Sequence, residues 1–186
     1  MKLSKVKKVV LNHQRLCVAR ANTGIDVQTW VGVEMAMYPV HELVVTPMLV
    51  ARIWELSEKQ IHLLDISEHL EGNYSLIITE SDLEGIPMLA EAENGEPNLT
   101  RICQIDGNIF LLNQETGQSY YFSAELLGPV EGSRIQYFAE PGKNIIGVYS
   151  DGKLEAAIYG GDWRNSEIMT EKLGTIAKIW EAGINQ

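Results

Sequence analysis

The chain has four histidines, His13, His41, His62 and His69, and these are its readiest acid–base and metal-binding groups. Zinc sites repeat His, Cys or carboxylate at fixed spacing, and none of the four stands in an HExxH, an HxH or a cysteine-flanked pattern. His62 reads as a strand residue and the other three as loop residues. His41 and Glu42 are neighbours beside a turn and form the one candidate acid–base dyad. Asp82, Glu84, Glu91, Glu93 and Glu96 crowd a single segment, but calcium needs oxygens at set intervals and the EF-hand loop is absent, so the run reads as a solvated stretch. The Gly160-Gly161-Asp162-Trp163 stretch lacks the Lys-Ser/Thr ending of a P-loop and the GxGxxG of a dinucleotide site, and reads as a strand-to-helix turn. No serine sits in a GxSxG elbow. Cys17 and Cys103 each lie in an apolar segment and read as two buried, reduced thiols. The sequence therefore predicts no metal and no cofactor, identifies no catalytic residue, and leans away from an enzyme.

Charge is distributed unevenly. The first 20 residues carry Lys2, Lys5, Lys7, Lys8, Arg15 and Arg20 and no acid, a net of +6, while the other nine basic and all 25 acidic residues fall in the remainder. That remainder nets −16, which with +6 gives the formal −10 of the chain. Affinity for DNA comes largely from cations that neutralise phosphates and release counterions. Tight duplex binding by the whole chain is therefore not expected, and any nucleic-acid contact would fall to Lys2, Lys5, Lys7 and Lys8. The opening residues lack the apolar h-region of a signal peptide, and no run approaches a membrane span. The expectation is a cytoplasmic protein with no membrane contact.

The elements that must position these residues read as α+β: antiparallel sheets with short helices. Residues 3 to 11 space Leu3, Val6, Val10 and Leu11 at helical intervals. Residues 15 to 21 and 29 to 40 read as strands around an Ala-Asn-Thr-Gly-Ile-Asp turn. Thr46 and Pro47 open a helix to about Leu56 whose buried face is Met48, Leu49, Ile53, Trp54 and Leu56. Strands follow at about 60 to 66 and 74 to 79. Residues 81 to 100, acidic and broken by Gly85, Pro87, Gly95 and Pro97, form the connection to a second run. There, 108 to 113 and 119 to 122 form a hairpin, Ser123 caps a helix of two turns, and three strands follow as a meander through an Asp151-Gly152 turn. A final helix, 165 to 183, packs on the sheet. Trp30, Tyr38, Ile53 and Trp54 read as core. Tyr120, Tyr121 and Phe122 in a row put at least one ring on the far side of their strand, available for base stacking or for cover by the last helix.

The strand-helix-strand order occurs twice, at 1 to 80 and 101 to 160, within a single α+β domain of 186 residues. Residues 30 to 39, Trp-Val-Gly-Val-Glu-Met-Ala-Met-Tyr-Pro, after the MKLSKVKK opening, resemble a family of uncharacterised proteins of Firmicutes prophages and other mobile elements. Members show Trp-Ile-Gly-Asp-Gly-Ser-Ala-x-Tyr-Pro there. Trp30, Gly32, Ala36, Tyr38 and Pro39 match that pattern and read as structural, whereas Val33, Glu34 and Met35 replace Asp-Gly-Ser. That replacement removes a turn signal and predicts one continuous strand. The resemblance implies a biological setting and no activity. In architecture the two runs also resemble the duplicated half-domains of DNA sliding clamps. The two candidate helices supply only Arg52 as a cation, which weighs against encircling DNA.

Three functions follow. The first is a non-enzymatic binding or accessory protein of a mobile element that acts through a protein partner, for which the acidic surface favours a basic one. An oligomer is compatible with it. The second is a clamp-like, DNA-associated replication accessory factor using the amino-terminal lysines. The third is a small hydrolase using His41.

Overall fold

The computed structural model describes residues 2–14, 16–22, 27–40, 97–140 and 142–162, with positions 57, 59, 171 and 174. The helix expected at 46 to 56, the strands at 60 to 66 and 74 to 79, and most of the 81 to 100 connection lie outside the described residues, as do Ile53 and Trp54. Of the final helix only Glu171 and Gly174 are described, both helical. No helix among the described residues is long and apolar enough to cross a membrane.

The amino-terminal periodicity folds as α1, Leu3–His13. Among its described side chains Val6, Val9 and Val10 are buried and Leu11 is half-covered. Gln14 ends it in the left-handed region at φ 52°, where its N–H reaches the Leu11 carbonyl at 3.3 Å. Among the described residues nine strands follow: β1 Cys17–Asn22, β2 Val27–Val33, β3 Ala36–Val40, β4 Thr100–Ile105, β5 Asn108–Leu112, β6 Ser119–Ser123, β7 Ile135–Phe138, β8 Ile145–Ser150 and β9 Lys153–Tyr159. They form a six-stranded antiparallel sheet in the order β1-β2-β3-β9-β8-β7 and a three-stranded one, β4-β5-β6. The fold class is α+β with antiparallel sheets.

Two isolated bridges join the sheets. Leu99, just before β4, pairs with Tyr137 of β7, and Tyr121 of β6 pairs with Gly161, just past β9. Backbone hydrogen bonds thus run in a closed circuit through β9, β8, β7, β4, β5, β6 and back to β9. Asn98 reinforces the first junction, its side-chain amide accepting from Ala139 N–H at 3.0 Å and donating to Ala139 O at 2.8 Å. The second closes by paired bonds of 2.8 and 2.9 Å. Inside the circuit Ile109, Leu111, Tyr120 and Phe122 of the small sheet meet Val31, Tyr38, Ile146, Val148 and Ile158 of the large one, and α1 adds its valines. Strand alternation sends a second cluster to the opposite face: Cys17, Trp30, Met37, Tyr149, Leu154 and Ala157.

The structure corrects several expectations. Residues 29 to 40 are not one strand, because Glu34 and Met35 form a tight turn and Val33 pairs with Ala36 across it. The second run opens with a further strand, β4 Thr100–Ile105, ahead of the expected hairpin. The helix after Ser123 is a single 3-10 turn, Ala124–Leu127, and Ser123 makes no side-chain cap bond to it. Gly161 does not serve only as a turn, since it holds the seam to β6, where a Cβ would lie 2.5 Å from the Tyr121 ring. Cys103 is half-buried rather than buried. β1 to β3 of the first run and β7 to β9 of the second share one sheet through the β3–β9 pairing.

Candidate functional site

The four lysines of the basic end do not act as one group. Lys2 sits at the amino end of α1, its N–H bonded to Pro129 O at 2.8 Å and its ammonium 3.2 Å from Glu131 Oε1. That ammonium lowers the Glu131 carboxyl below its ordinary range. At the other end of α1, His13 Nε2 lies 3.0 Å from Glu125 Oε1. Between these anchors, Ser4, Lys5, Lys8 and Asn12 are exposed and Lys7 partly so. Lys5, Lys8 and Asn12 are three and four residues apart and so share one outward ridge. Among the described residues no carboxylate pairs with Lys5, Lys7 or Lys8. The first turn of α1 contains no acid to complement its positive end.

The pattern residues of β2 and β3 are placed by packing. Trp30 is fully buried in the second cluster. Gly32 runs so close to the turn that a Cβ would come 2.0 Å from Ala36 O, which makes glycine obligatory there. Ala36 is buried where β3 meets β9, opposite Ile158. Tyr38 is fully buried and its hydroxyl donates to Leu126 O at 2.7 Å, tying β3 to the 3-10 turn. Pro39 lies past the last β3–β9 pair, Met37–Ala157, so its missing N–H costs no ladder bond.

Among the described residues three large apolar side chains stay exposed: Met35, Ile102 and Tyr159. Ile102 falls at the bulge between Arg101 and Cys103 of β4, where the ladder to β5 skips a residue. Met35 and Tyr159 come together, because Tyr159 N–H donates to Met35 O at 2.8 Å where β9 leaves β3. They are 45% and 49% exposed, while Asn144 Nδ2 donates to the Tyr159 hydroxyl at 3.3 Å. One step on, Tyr121 covers Gly161 and stacks on Phe110 with ring centroids 6.1 Å apart. Tyr120 and Phe122 point into the core, so Tyr121 is the outward ring of that row. Exposed Glu34 adjoins Met35, and exposed Asp162 follows Gly161, accepting from Ser119 Oγ at 2.6 Å. This surface escaped the sequence reading: the register shift between Val148 and Tyr149 puts Leu154 in the same cluster as Ala157, while Ala156 and Ile158 face the main core, so no simple alternation along Lys153–Tyr159 marks it.

Acid–base and metal chemistry find little support nearby. Among the described residues no group of three or more His, Cys, Asp or Glu side chains could hold a metal ion. His41, Glu42, His62 and His69 lie outside the described residues. Burial raises the Cys103 thiol above its ordinary value, opposed by Arg101. The described surface presents an apolar and aromatic patch, Met35, Tyr159 and Tyr121, and a separate ridge of lysines. Comparison with family models, curated proteins and solved structures finds no match to this chain.

Proposed function

We propose that the protein is a non-enzymatic accessory protein that works by docking onto another protein, in the mobile-element setting implied by the resemblance of its first 55 residues to Firmicutes prophage proteins. The observation that carries this reading is the pairing of exposed Met35 with exposed Tyr159 on the surface of a chain of net charge −10. Methionine and tyrosine are enriched where proteins meet, and a few such residues carry most of the binding energy. The test is quantitative co-purification from cells of a Firmicutes host, with the full chain and with a Met35→Ser, Tyr159→Ala double variant. At least one protein retained by the wild-type chain should fall about tenfold or more in the variant, the loss expected when two contact residues are each worth about 1 kcal/mol. An identical set of retained proteins would overturn the reading.

The lysine ridge favours a second reading, the DNA-associated accessory factor, because Lys5 and Lys8 face outward on a helix without acids. The clamp-like version of that reading gains nothing from these two cations alone. With Lys2 engaged by Glu131, Lys5 and Lys8 of the ridge and partly exposed Lys7 beside it remain, and each phosphate contact steepens the salt dependence by about 0.9 in log K against log salt. Titration of a labelled duplex should therefore show weak binding, with a slope no steeper than about −2.7. Tight binding that collapses with salt and disappears when Lys5, Lys7 and Lys8 become Gln would promote the DNA-associated role to first place.

A further inference from the structure

We draw no further inference here: the strongest candidate, the exposed Met35–Tyr159 patch where β9 leaves β3, is an apolar surface, and nothing in the structure shows what covers it.

Discussion

Replacing Trp30 by Ala is expected to cost about 3–5 kcal/mol of stability, the loss typical when a buried large aromatic is truncated. Trp30 is fully buried among Cys17, Met37, Tyr149, Leu154 and Ala157, side chains from four other strands of the six-stranded sheet. In the ladder it pairs with Pro39 on β3 and with Ala19 on β1. Domains of ordinary size hold only about 5–15 kcal/mol in total. Trp30→Ala should therefore appear as a large drop in the urea midpoint with an unchanged slope. Trp30→Phe separates volume from hydrogen bonding. The indole Nε1 is buried with no hydrogen-bond partner, so the ring's donor contributes nothing that phenylalanine would lose. Phe should thus recover more than half of the Ala deficit. A cost near zero for Trp30→Ala would remove Trp30 from the core.

Where local rules decide the outcome, the fold was legible in the sequence. Asp151 and Gly152 adopt φ of 51° and 79°, the positive pair required by the tight turn that their types announce, and Ser150 pairs with Lys153 across it. Buried Val6 and Val10 of α1 are likewise read directly from period. The turn at Glu34 and Met35 was not legible because neither residue takes a positive φ, so it needs none of the Gly, Asn or Asp that mark such reversals. Its constraint falls instead on Gly32, whose role depends on the carbonyl of Ala36 and is invisible until the chain has turned. Two further features are non-local. The seams Leu99–Tyr137 and Tyr121–Gly161 join residues some forty positions apart, and nothing in either segment names the other. The meeting of Met35 with Tyr159 is a consequence of the β3–β9 pairing in the same way. Hence the candidate lysines could be named from composition, whereas the apolar surface could not.

Raising the pH should destabilise the fold from about pH 10 upward, and Tyr38 should be the main reason. Burial first, and then the Glu125 carboxylate, push its phenol well above the ordinary value of 10.0. In the unfolded chain Tyr38 releases its proton near 10, while the folded chain still holds it. Above that pH the native state binds more protons than the unfolded one, so stability falls as pH rises. Below about pH 10 the contribution is constant. Above it, Tyr38 alone removes about 1.4 kcal/mol per pH unit until the folded phenol also ionises. Burial also raises Tyr120 and Tyr137, with Asp162 adding to the first and Arg101 opposing the second, so they steepen the same limb. Tyr38→Phe isolates the main contributor. At neutral pH it strands the buried Leu126 carbonyl and should cost about 1–3 kcal/mol. It also removes one ionisation, so its stability should fall less steeply in alkali and the two curves should converge. Denaturant midpoints measured from about pH 8 to pH 11.5 for both chains decide the matter. Curves that stay parallel across the alkaline range would show that the Tyr38 hydroxyl is not held as a buried donor, and would remove the tie between β3 and the 3-10 turn that carries Glu125, the partner of His13.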